Sequence, residues 1–137
     1  MALSRMGLFV LDCPDPAALA RFYAGILGWT VDDRGDGEWV EVTAPQGGRL
    51  LAFQRAPDHV PPRWPSGEHS QQAHLDLYVD REHWDEAEQE ALGLGARLVQ
   101  PDEGERDFRV YLDPAGHPFC LCVQTPDSPA ATVPPAA

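Results

Sequence analysis

The same short order of elements occurs twice along this chain, and that duplication restricts its folds more than any other feature. In each half an alternating strand leads into a helix, and three further strands follow. The second copy opens with His74-Leu75-Asp76-Leu77-Tyr78-Val79-Asp80. Strict alternation sets Leu75, Leu77 and Val79 on one side and His74, Asp76, Tyr78 and Asp80 on the other, the period of a strand with one buried face. A helix is predicted from Arg81 to Leu94, capped by Asp80, with a sparse apolar stripe of Trp84, Ala87, Ala91 and Leu94. Strands over Leu98–Pro101, Arg106–Leu112 and Pro118–Gln124 complete the unit, with a turn at Asp113-Pro114-Ala115-Gly116.

The first copy reads in the same way. Arg5–Asp12 is a strand apolar enough to be central in its sheet. Asp15 is placed to cap a helix whose first turn holds Pro16, where a missing N–H costs nothing. Leu19, Phe22, Tyr23 and Ile26 form its one-sided stripe, and Gly28 ends it as a left-handed stop. Trp29–Asp33, Glu38–Ala44 and Arg49–Arg55 follow as strands, separated by Gly35-Asp36-Gly37 and Pro45-Gln46-Gly47-Gly48. The copies stay in register: Leu8 lies 66 positions before His74, and Gly28 lies 67 before Gly95. This predicts a first module over residues 1–56, a polar, proline-rich connector over 57–72, a second module over 73–124 and a disordered tail over 125–137.

Charge narrows the partners. Ten basic residues, all arginine, stand against 22 acidic ones, for a net charge of −12 in 137 residues. Affinity for phosphate backbones and anionic lipid comes largely from Lys and Arg, so neither nucleic acid nor a membrane surface is an expected partner. The chain contains no apolar run long enough to span a bilayer and no secretory pattern at its N-terminus, and the expected location is the cytoplasm. Three cysteines, Cys13, Cys120 and Cys122, form neither a disulfide framework nor a CxxC zinc motif.

Taken together, the β-α-β-β-β repeat, Asp15 with Phe22-Tyr23 and Leu27-Gly28-Trp29, His74-Leu75-Asp76-Leu77, Gly95-Ala96 and Asp113-Pro114-Ala115-Gly116-His117-Pro118-Phe119 resemble the vicinal oxygen chelate superfamily of glyoxalases, bleomycin-resistance proteins and extradiol dioxygenases, in its small glyoxalase-like branch. The resemblance implies an α+β fold in which two βαβββ modules pair curved mixed sheets around a cavity that takes a small molecule. It also implies a homodimer, a C₂ pair being the commonest oligomer. Metal-using members bind a divalent ion at four positions, which fall here on Leu8, Leu50, His74 and Cys120. Leucine offers no donor atom, so the expectation is no cofactor and no metal ligands, with a divalent metal the disfavoured alternative.

Within this frame His74 and Asp76 are the candidate catalytic residues. An acid in a half-closed pocket serves as a base or as the anchor of a cationic ligand. Tyr78, Trp39, Arg109, Trp64 and Cys120 are the candidate ligand-binding residues: Tyr78 shares the Asp76 face, Arg109 is an available partner for that acid, and Trp64 sits in a connector able to close over a ligand. The favoured function is a small-molecule binder of the resistance type, or a metal-free lyase or isomerase. The alternatives are a metal-dependent lyase or dioxygenase using His74, and a non-catalytic ligand-sensing or interaction module.

Overall fold

The computed structural model describes residues 2–124. The tail expected to be disordered, residues 125–137, lies outside the described residues. The chain divides into two compact units between His59 and Val60, each an α+β module of order βαβββ.

The first unit holds β1 (Phe9–Cys13), α1 (Pro16–Leu27), β2 (Thr30–Asp33), β3 (Trp39–Thr43) and β4 (Arg49–Arg55). Helix α1 forms where its caps dictate. Asp15 is extended and its carboxylate accepts the Ala18 N–H at 3.1 Å, while Gly28, at φ 67°, closes the other end in the left-handed conformation that suits glycine. Its apolar stripe buries Leu19, Phe22 and Tyr23 against the sheet, with Tyr23 stacked 5.7 Å from Phe53. The strands run in the order β1-β4-β3-β2, with β1 parallel to β4 and the other pairs antiparallel. β1 is therefore an outer strand of this sheet, not the central one its apolar run suggested. Leu11 and Cys13 are buried and Asp12 between them is exposed, so the run reflects burial of one face only.

The second unit repeats the plan with β5 (Leu75–Val79), α2 (Trp84–Gly93), β6 (Arg97–Gln100), β7 (Phe108–Leu112) and β8 (Pro118–Val123), in the order β5-β8-β7-β6. Again the first strand pairs parallel with the last, Asp76 opposite Cys120 and Tyr78 opposite Cys122. The helix begins later than expected. Asp80 makes no capping hydrogen bond; a 3-10 turn over Arg81–His83 intervenes, and α2 starts at Trp84 with Asp85 and Glu86 at the positive end of its dipole.

The hairpin between β7 and β8 is built by Asp113. Its buried carboxylate accepts the Ala115 and His117 N–H groups at 2.9 and 3.0 Å, and its own N–H donates to the His117 carbonyl. Gly116 completes the turn at φ 89°, where a Cβ would stand 2.5 Å from Pro61. The connector thus lies directly on the turn that sets the β7/β8 register.

Candidate functional site

The register of the second sheet decides which side chains meet. Pairing of Asp76 with Cys120, of Val110 with Cys120 and of Phe108 with Cys122 places these residues on one face. The opposite face carries Leu77, Arg109, Tyr111, Phe119 and Leu121, neighbours in register by the same pairings. The first of these faces is concave. It lines a cavity of about 300 Å³ with Phe108 and Val110 from β7, Pro118, Cys120 and Cys122 from β8, Asp76 from β5 and His74 just before it. The connector adds Trp64 and Gln71. Every one of these residues belongs to the second unit.

The walls are apolar and the chemistry is gathered on one side. His74 Nε2 lies 3.2 Å from Asp76 Oδ1, both side chains being about half exposed. Donor atoms of His74, Asp76 and Cys120 all lie within 4.8 Å of one another. Cys120 is buried, Cys122 follows it by one pleat on the same face, and Asp76 stands opposite Cys120 in the parallel pair. Interaction with the Cys122 thiol, with burial and the carboxylate adding to it, pushes Cys120 far above the ordinary thiol range; the same interaction lowers Cys122, against burial. On the connector wall the Gln71 side-chain oxygen is buried without a hydrogen-bond partner, a cost that a bound group would relieve.

His74, Asp76, Trp64 and Cys120 thus line one cavity. Tyr78 shares the Asp76 face of β5 but is 51% exposed and is not part of the lining. Trp39 belongs to the first unit, opposite Gln54 on β3. Arg109 requires a correction. It lies on the helix side of the sheet, bonded to Asp102 at 2.7 Å, Asp85 at 2.9 Å and Glu88 at 3.3 Å, with its guanidinium 4.1 Å above the Trp84 ring. It is committed to three carboxylates and has no access to Asp76. Burial alone would lower its pKa, but the Asp102 and Asp85 bonds and the Glu88 charge raise it. Tyr111 donates to the same Glu88 at 2.6 Å.

Gln71, Phe108, Val110, Pro118 and Cys122 escaped the sequence reading. Four of them were within reach of it. Once the Asp113 turn pairs Leu112 with Pro118, alternation alone carries Val110 and Phe108 onto the face of Cys120 and Cys122. Gln71 gave no such signal, because loop position is not periodic.

The ion positions of metal-using relatives can be tested on donor chemistry. Leu8 precedes β1 and Leu50, in β4, is 55% exposed; both present only hydrocarbon. The four-position set does not fit an ion here.

The glyoxalase-like domain family matches residues 8–122. The chain belongs to that family. Among solved structures it is similar to a hypothetical protein from S. aureus, at 17% identity and TM-score 0.67 over 90% of this chain and 96% of that one. It is similar also to the fosfomycin resistance protein FosX from Mesorhizobium loti (14%, TM-score 0.66, 91% and 95%). A third likeness is to a glyoxalase/bleomycin resistance protein/dioxygenase family enzyme from Burkholderia phytofirmans (19%, TM-score 0.65, 85% and 95%). A search of curated protein sequences finds no match. At such identities the likeness establishes the fold alone. Among the described residues no helix is long and apolar enough to cross a membrane.

Proposed function

We propose that this protein binds a small molecule on the open face of its second sheet, without the divalent ion that relatives hold at four positions, either as a resistance-type binder or as a metal-free lyase or isomerase. The observation that carries this reading is the cavity itself: a concave, largely apolar site with a few converging polar groups is the usual form of a ligand pocket, and about 300 Å³ is at the small end of such pockets. Asp76 and the unpartnered Gln71 oxygen are both acceptors, which favours a ligand presenting a cationic or hydrogen-bond-donating group between apolar surfaces. Where turnover occurs, His74 is the group to move a proton, held in orientation by Asp76 at 3.2 Å.

The test is a ligand screen by thermal shift on chelator-treated protein. A ligand at 100 times its Kd raises stability by about 2.7 kcal/mol. Asp76→Asn is expected to leave the fold within about 1 kcal/mol of the parent, as a near-isosteric change outside any structural network does, and to weaken every hit. A clear fall in melting temperature with ligand affinity retained would assign Asp76 to structure and refute its place in the site.

A further inference from the structure

The second module leaves one row of its open face outside its core. Tyr78 of β5 and Phe108 of β7 each pair with Cys122 of β8, so the three stand side by side across the sheet, and both aromatic residues are exposed, at 51% and 38%. A single exposed aromatic needs no explanation, but two in register at the edge of a cavity form a patch. One pleat along the strands, about 7 Å away, the next row is Asp76, Cys120 and Val110, which is cavity wall. We propose that the two rows are halves of one site for a primary arylalkylamine, with the ammonium at Asp76 and Gln71 and the aromatic ring over Cys122 between Tyr78 and Phe108. This names the ligand class of the small-molecule reading above and rests on it. It also makes Tyr78, which stands outside the cavity lining, a specificity residue.

Charge decides against an anion. The chain has no lysine, and the cavity lining contains no arginine. Arg109 is held on the helix side, and Arg97, on the open face through its pairing with Leu112, belongs to the opposite edge strand from Asp76. A primary ammonium offers three N–H donors and no acceptor. Asp76 accepts one, and the buried, unpartnered Gln71 oxygen accepts another. A quaternary ammonium makes neither bond. Trp64, on the connector wall, adds a ring face that attracts the charge. Spacing suits the ring: strands about 4.8 Å apart set Tyr78 and Phe108 roughly 10 Å apart across β8, so a ring centred between them lies about 5 Å from each, within the roughly 4.5–7 Å separation of aromatic pairs. A short alkyl arm between ring and nitrogen then bridges the rows.

The test is isothermal titration of the full chain with 2-phenylethylamine, 2-phenylethanol, 3-phenylpropionate and trimethyl(2-phenylethyl)ammonium. The primary amine is expected to bind at least roughly tenfold tighter than each of the others, the order that a hydrogen bond to a charged group contributes. Asp76→Asn should remove most of the preference for amine over alcohol, a selectivity that a merely structural role would not move. Tyr78→Ala should weaken amine and alcohol by the same factor, roughly three- to tenfold, because the ring and the charge bind in separate rows. Tyr78 is half exposed, so its truncation spares the core. Alcohol, propionate or quaternary amine binding as tightly as the primary amine, a preference that survives Asp76→Asn, or unchanged affinity in Tyr78→Ala overturns the proposal. A Tyr78→Ala protein of altered oligomeric mass and unchanged affinity also overturns it, by assigning the row to an interface between copies. If the wider ligand screen finds only neutral or anionic hits, the amine is refuted and the small-molecule reading stands; if it finds none, both fall.

Discussion

Replacing Arg109 by methionine separates the two faces of the second sheet. The arginine side chain is 12% exposed and lies between Asp85 and Glu88 of α2 and Asp102 after β6, with its guanidinium over Trp84. Methionine keeps the stem that packs on the ring and removes the charge, leaving the part-buried Glu88 with Tyr111 as its remaining hydrogen-bond donor. Breaking a fully buried pair costs about 3–5 kcal/mol. Asp85 is 90% exposed and its bond contributes little. Water also reaches part of the cluster, and the expected net loss is about 2–3 kcal/mol. For a chain of this length that lowers the melting temperature by roughly 10 °C. Adding Glu88→Gln neutralises the stranded carboxylate and should recover part of the loss, giving a coupling energy in the double-mutant cycle. Thermal unfolding followed by circular dichroism reads all four proteins. Ligand binding should be unchanged throughout, because the cavity lies on the other side of the sheet. A melting temperature within about 2 °C of the parent, or an Arg109→Met protein that keeps its stability and loses binding, would refute the assignment of this arginine to the helix face.

Two further expectations follow. Burial and the Glu88 carboxylate hold the Tyr111 hydroxyl protonated well above its ordinary value of 10.0, so the unfolded chain gives up this proton first and stability should fall as pH climbs above about 10; Tyr111→Phe should flatten that slope, and an unchanged slope would exclude Tyr111 as its source. In solution the chain is expected to be a C₂ homodimer, and light scattering giving a monomer mass at micromolar concentration would contradict this.

What the sequence determined is what repeats. Two βαβββ modules were legible because strand alternation, the stripe of α1 and turn chemistry are local signals, each read within a few residues, and because two copies in register corroborate one another. The Asp15 cap and the Gly28 stop were legible for the same reason. Asp80 looked equivalent to Asp15, yet no capping bond forms, because the three residues after it wind into a 3-10 turn. Alternation divides β7 into two sets, but tertiary structure alone decided which set faces the helix. Arg109 follows the exposed Phe108 in an apolar stretch, so burial pattern did not distinguish its two sides, and Asp85 and Glu88 of α2, more than twenty residues earlier, together with Asp102 drew it to the helix. The cavity was decided in the same non-local way. His74 and Asp76 were recognisable as a pair on one strand, but their meeting with Cys120 and Cys122 depends on the β5/β8 pairing across more than forty residues, and with Trp64 and Gln71 on a connector whose path is set by contact with the Gly116 turn. Alternation assigns a side chain to a face; only the pairing of strands determines what stands beside it.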